Sequence, residues 1–117
     1  MSRQGHERAG RLAEAAAAWL LRLKGFRILA RRYATPLGEI DLVARRRGLV
    51  VFVEVKRRAD LAAASEAILP RQRQRIARAA ELFLQRHAAA RGAGCRFDVI
   101  AVAPWRWPLH LEDAWRL

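Results

Sequence analysis

The chain has 117 residues, enough for one domain with a core of ordinary size, and 53% of them are hydrophobic, which excludes general disorder. Its charge is lopsided: 23 Lys and Arg against 11 Asp and Glu leave a formal net charge of +12. Such an excess repels itself in the compact state and attracts polyanions, so the two readings are a nucleic-acid partner or a merely solubilising arginine-rich surface. The single cysteine, Cys95, excludes an internal disulfide, and His6, His87 and His110 fall in no zinc-like spacing.

Residues 1–5 are expected to form a disordered tip and residues 6–117 a single domain. Over residues 6–24, Leu12, Ala16, Trp19, Leu20 and Leu23 recur at helical spacing and predict a helix, with Gly25 ending it. This is the most apolar stretch, yet it is short for a membrane span and carries Glu14 and Arg22. Arg3, Arg8 and Arg11 before an Ala-rich run mimic a signal peptide, but Glu14 lies inside the run and no clean small-residue cleavage site follows. The expectation is a soluble cytoplasmic protein with no membrane partner.

A first strand is predicted over residues 26–32, then a turn at Thr35-Pro36-Leu37-Gly38. Residues 39–44 read as a strand, 45–48 as a basic turn and 49–57 as a long strand. Leu49 to Val53 is apolar on both parities, the mark of a central strand buried on both faces. A β-hairpin is the simplest account of the pair. Residues 60–69 read as a loop with a short helical piece. Pro70 suits the first turn of a second long helix, buried through Ile76, Ala79, Ala80 and Phe83 and running to about residue 90. Residues 96–102 form a further strand, and Pro104 and Pro108 bracket a turn holding Trp105 and Trp107. A short edge strand follows at 109–111. The order α-β-β-β-α-β-β gives an α/β fold, a mixed sheet flanked by helices.

Glu54 and Lys56 are two apart on a strand and therefore share a face. Burying both is costly unless they are paired or bind something. If the hairpin sets residue 44 opposite 51, with 45 and 50 pairing across a four-residue loop, Asp41 falls opposite Glu54. Their carboxylates are then about 5 Å apart, whereas a slip of one residue sends Asp41 to the other face. Two carboxylates so close repel, and Mg²⁺ or Mn²⁺ relieves the repulsion. Such an ion takes oxygen ligands, keeps several waters, polarises a phosphodiester and lowers the pKa of a bound water. Lys56 then orients that water or stabilises the added negative charge of the transition state. The bland counterpart is a surface carboxylate–lysine cluster. Glu39 has the parity of Asp41 but lies one residue pair further along, beside the turn, and is set aside. Glu14, the only charge between Leu12 and Leu21, is either a further carboxylate for the site or a partner of Arg11.

Gly38-Glu39-Ile40-Asp41-Leu42-Val43-Ala44, Val51-Phe52-Val53-Glu54-Val55-Lys56, Arg58 and Arg96-Phe97-Asp98-Val99 together resemble the YraN-like family of small bacterial proteins. That family is similar to Holliday-junction resolvases and to restriction endonucleases of the PD-(D/E)xK type. The resemblance implies a restriction-endonuclease-like core, with Asp41, Glu54 and Lys56 as the D…E-x-K triad. Gly10-Arg11-Leu12-Ala13-Glu14 is similar to the family's G-x-x-G-E motif and implies Glu14 as an accessory acid and metal ligand. Arg71-Gln72 resembles a Lys-Gln pair and implies that Gln72 reaches the scissile phosphate. Ala13 stands where the family often has Gly, Arg32-Tyr33-Ala34 replaces Asn-x-Arg, and Leu69 replaces a helix-capping Thr; none of these touches the triad.

Arg45, Arg46 and Arg47 at the hairpin tip, Arg57 and Arg58 after the long strand, and Arg71, Arg75 and Arg78 on one helix face are the candidate phosphate-binding residues. Either they bind a phosphate backbone or they are a solvated surface. Trp105, Trp107 and Trp115 either stack on bases or, as such residues more often do, close a core or a dimer contact. Asp98 reads as a structural hydrogen-bonder. The expected function is a Mg²⁺- or Mn²⁺-dependent endonuclease acting on DNA in preference to RNA, with branched or structured DNA as the implied substrate. A homodimer would suit a four-way junction, though no sequence feature indicates one. The competing functions are a non-catalytic nucleic-acid-binding module and a basic protein serving an acidic protein or the ribosome.

Overall fold

A computed structural model describes the backbone of residues 3–116 and the side chains of residues 10–116. Helix α1 (Arg3–Leu23) begins earlier than the apolar spacing indicated, so residues 3–5 of the expected tip are helical, while residues 1 and 2 lie outside the described residues. Its end follows from Gly25. With φ at +90°, Gly25 lets its own N–H reach the Arg22 carbonyl and the Phe26 N–H reach that of Leu21, satisfying two carbonyls the last turn leaves open.

The buried face of α1 is not the one expected. Ala13, Ala17, Ala18 and Leu21 are buried, whereas Leu12, Trp19 and Leu23 are 66%, 60% and 58% exposed. Small residues allow the helix axis to lie close to the sheet, and the bulky stripe beside them is left outside. Helical spacing cannot separate two apolar stripes that differ by one residue.

Strands β1 (Arg27–Thr35), β2 (Gly38–Arg46), β3 (Leu49–Lys56), β4 (Gly94–Ala101) and β5 (Leu109–Trp115) form one sheet in that order. All neighbours are antiparallel except β3 and β4, which are parallel. The mixed α/β fold is the one the pattern of elements called for. β3 is central, and its alternating residues feed two cores. Val51 and Val53 join Leu42, Ala44 and Ile100 under α1. Val50 and Phe52 join Ile40, Val43 and Val99 under helix α3 (Pro70–Arg86), which contributes Ile76, Ala79, Ala80 and Phe83.

The loop before α3 contains helix α2 (Leu61–Glu66), whose first turn is capped by Asp60 accepting the Ala63 N–H at 2.7 Å. Pro70 opens α3 as expected, and Leu69 in the capping position makes no side-chain bond. Arg73 folds back to the carbonyls of Ile68 and Ser65 and serves this loop. α3 stops at Arg86, and a 3₁₀ turn at Ala88–Ala90 takes up the rest of the stretch read as helix. β5 runs four residues beyond the short edge strand expected, to Trp115, which is buried and stacks on Phe97 with centroids 5.1 Å apart. Among the described residues no helix is long and apolar enough to cross a membrane.

Gly38 ties the motif strand to α3. A Cβ there would stand 2.6 Å from the Arg75 carbonyl oxygen, which is backbone and cannot swing away. Gly38→Ala should therefore push α3 off the β1–β2 turn and cost about 1–3 kcal/mol, as overpacking does. A denaturant titration would show it as a lower midpoint with an unchanged slope.

Candidate active site

The hairpin pairs Arg46 with Leu49, Arg45 with Val50, Ala44 with Val51 and Leu42 with Val53. This is the expected register, closed by a two-residue turn of Arg47 and Gly48 in place of the four-residue loop, with Arg47 at φ +55°. The paired ladder ends at Leu42 and Val53, and Asp41 lies beside Glu54 just beyond it. There side chains continue the ladder: the Val55 N–H donates to Asp41 Oδ2 at 2.8 Å, and the Asp41 N–H lies 3.4 Å from Glu54 Oε1. Ile40 and Leu42 belong to opposite cores, so β2 turns over at Asp41 and places its carboxylate between the strands.

Burial dominates the electrostatics of this pair. Glu54 is 3% exposed, and that burial first, then the charge of Asp41, pushes its carboxyl up to about 9 despite the nearby Lys56. The half-buried Asp41 is also raised, by burial first; the charge of Glu14 adds to the rise, while the Val55 amide and Lys56 oppose it. Two acids that resist ionising together are a suitable seat for a cation. Mg²⁺ is commonly bound through one or two carboxylates, with water and substrate phosphate completing its shell. Among the described residues no group of three or more His, Cys, Asp and Glu side chains is gathered to hold a metal. The donor set thus fits an ion shared with water and phosphate, and does not fit an all-protein cage.

A cleft of about 550 Å³ opens over Asp41. Gly10, Arg11, Ala13 and Glu14 of α1 form one wall; Val55, Lys56, Arg57 and Arg58 form another, with Arg32, Glu39 and Asp41 between. Glu54 lies outside this lining and borders it through Asp41. Glu14 receives the Arg32 Nε–H at 2.7 Å, an ion pair across 18 positions that helix spacing could not disclose. Arg32, opposite Asp41 on β1 with φ +49°, and Glu39 are cleft residues that the sequence reading passed over. Glu39 shares the parity of Asp41, which was the available signal.

The basic residues do not gather as one surface. Arg57 and Arg58 are exposed and line the cleft. Arg45, Arg46 and Arg47 are at the other end of β3, about 23 Å from Lys56 at the strand's rise per residue. Arg46 donates to the Lys24 carbonyl at 2.9 Å and covers the Phe26 ring, and Arg45 donates to the carbonyls of Arg47 and Ala89. Those two arginines fasten the ends of α1 and the 3₁₀ turn. Arg71, Gln72, Arg75 and Arg78 ride on α3, which covers the opposite sheet face from α1, and none of them lines the cleft. The implied reach of Gln72 to a phosphate in that cleft is not seen.

Residues 13–102 match the Uncharacterised protein family UPF0102. A UPF0102 protein of Paramagnetospirillum magneticum is 52% identical, the alignment covering 97% of this chain and 92% of the relative. One from Mesorhizobium japonicum is 54% identical over 97% and 90% of the two chains. A third, from Parvibaculum lavamentivorans, is 53% identical over 93% and 82%.

Proposed function

The chain belongs to the UPF0102 family of uncharacterised proteins, and on that footing we propose that it is a cytoplasmic, metal-dependent endonuclease that hydrolyses phosphodiester bonds in DNA. The observation that carries this reading is half-buried Asp41 in a cleft walled by Lys56, Arg57 and Arg58, with the buried Glu54 directly behind it. A pure binder of nucleic acid has no use for a pair of adjoining acids at a phosphate-binding cleft, whereas a hydrolase does. Asp41 and Glu54 are the residues that would hold Mg²⁺ or Mn²⁺. When bound, such an ion supplies polarisation of the phosphate and an acidified water.

The chain's own residues do the rest. Lys56 offers its ammonium to the oxygen on which charge accumulates in the transition state. Arg57 and Arg58 hold flanking phosphates and so fix which bond is presented. Glu14 keeps Arg32 at the cleft wall through one carboxylate oxygen and adds negative potential at Asp41. The resemblance to junction resolvases favours branched or structured DNA as the substrate.

Incubation of the purified protein with single-stranded, linear duplex and four-way-junction DNA, with Mn²⁺ or with EDTA, tests the reading. Cleavage that requires the cation and disappears in Asp41→Asn is expected. Tight, salt-sensitive binding without cleavage of any substrate would leave a binding module and overturn the hydrolase. For the cleft arginines, Arg57→Ala with Arg58→Ala should weaken DNA binding at every sequence. The log–log salt dependence should also become shallower by about 1 for each phosphate that the variant no longer neutralises.

A further inference from the structure

We propose that the loop between β4 and β5 is a base-stacking platform, where Trp105 and Trp107 receive unpaired bases of a nucleic acid whose backbone lies in the cleft. The inference rests on nucleic-acid binding at that cleft, though not on cleavage there.

Placement comes first. β3 and β4 are parallel, with Lys56 beside Ala101, so the loop leaves the sheet at the same end as Lys56, Arg57 and Arg58. The Val102 N–H donates to the Lys56 carbonyl at 2.8 Å, and Arg106 donates to the Ala59 carbonyl at 3.2 Å. The loop is thus fastened to the segment that carries Arg57 and Arg58, two of the exposed arginines that line the cleft.

Exposure comes second. Trp105 and Trp107 are 102% and 71% exposed, while Trp115 on the following strand is buried against Phe97. The expectation that these tryptophans close a core therefore holds for Trp115 alone. Two large rings in water are an apolar surface without a partner among the described residues. Trp105 is held at φ +62°, a region bulky residues rarely enter, and Pro104 and Pro108 stiffen the loop on both sides. A stiff display lowers the entropy lost when a ring is captured.

Charge identifies the occupant. Arg106 sits between the rings, Arg57 and Arg58 lie at the adjoining cleft, and residues 102–109 contain no acid. A second copy of this chain, with net charge +12, would bring arginine against arginine. A single strand brings the opposite charge and flat rings together. Every base has a face to stack, so such a platform is tolerant of sequence. In an intact duplex the base faces are already covered, so the platform selects unpaired segments such as gaps, flaps and open junctions.

The test compares wild type, Trp105→Ala/Trp107→Ala and Trp105→Phe/Trp107→Phe for binding to oligo(dT) and to a blunt duplex, with sedimentation velocity of each protein. The alanine pair should lose about tenfold or more in affinity for oligo(dT), change little on the duplex, and sediment as wild type does; the phenylalanine pair should recover most of the loss. Equal loss on both substrates, or none on oligo(dT), overturns the platform. So does a wild-type dimer that dissociates in the alanine variant, which would assign the rings to a second copy. Cleavage is read separately: selective loss of oligo(dT) binding in a protein that cuts nothing supports the platform and sinks the nuclease, while normal cleavage without any tryptophan effect does the reverse.

Discussion

Glu54→Gln should abolish cation-dependent cleavage and, in the same molecule, raise the melting temperature of the metal-free protein. The carboxyl of Glu54 is 3% exposed and held near 9, above its ordinary value of 4.5, because burial and the charge of Asp41 disfavour its ionised form. The folded state therefore binds this proton more tightly than the unfolded chain does. Its contribution to stability is full below about pH 4.5 and is lost progressively as pH rises toward 9. The amide carries no charge at any pH, so the gain in melting temperature should widen between pH 6 and pH 9. Activity should fall on the order of 10²–10³-fold, the loss typical of removing one group that acts on transition-state charge. Thermal scans in EDTA across that range, paired with cleavage rates, check both halves. A Glu54→Gln protein that melts lower than wild type at every pH would contradict a raised Glu54 carboxyl, since the amide keeps an oxygen for the Asp41 N–H.

Asp98→Ala should have the opposite balance, a large loss of stability arising away from the cleft. Asp98 is fully buried and completely partnered. Arg96 grips both oxygens at 2.8 Å, His110 Nε2 lies 2.8 Å away, and the Asp113 N–H donates at 2.9 Å. Lys24 Nζ lies 2.9 Å from the other ring nitrogen of His110, so the chain from α1 to β4 passes through that ring. With the lysine donating to Nδ1, the Nε2–H of His110 donates to Asp98. Burial alone would push Asp98 up, but the bonds from His110, Arg96 and the Asp113 amide prevail and hold it at about 2. This stabilisation is present above the ordinary value of 3.8 and is lost as pH falls through about 2. Deleting the carboxylate leaves the half-buried Arg96 guanidinium with the longer 3.8 Å pairing to Glu112 and takes the acceptor from His110 and the Asp113 amide, a loss of about 3–5 kcal/mol. Urea unfolding at pH 7 measures it. A change below about 1 kcal/mol would mean that water replaces the acid without penalty.

The parts of the site that strand geometry governs could be read from sequence. Alternation joins Glu54 to Lys56, and the Arg47-Gly48 turn carries the register from 44 and 51 down to Leu42 and Val53, which leaves Asp41 next to Glu54. Pairings between distant elements left no such trace. Glu14 meets Arg32 only because α1 lies along β1, and Arg45 and Arg46 were free to read as phosphate ligands until the carbonyls of Ala89 and Lys24 stood within their reach. Which sheet face a crossover helix covers is likewise not written in its own pattern. The basic face of α3 therefore read as part of the site, although that helix packs on the other core. The exposed stripe of α1 was misread for a related reason: Leu12, Trp19 and Leu23 are more apolar than the alanines that lie against the sheet.

The most direct measurement of the central claim is a calorimetric titration of Mn²⁺ into the metal-free protein at pH 6 and pH 8. Saturable binding is expected, tighter at pH 8 because the cation must displace protons from the raised pair, abolished in Asp41→Asn and Glu54→Gln, and retained in Glu14→Gln, where the acid bound to Arg32 is neutralised. Binding of undiminished strength in Asp41→Asn and Glu54→Gln, or no saturable binding to the wild-type protein at either pH, would contradict it.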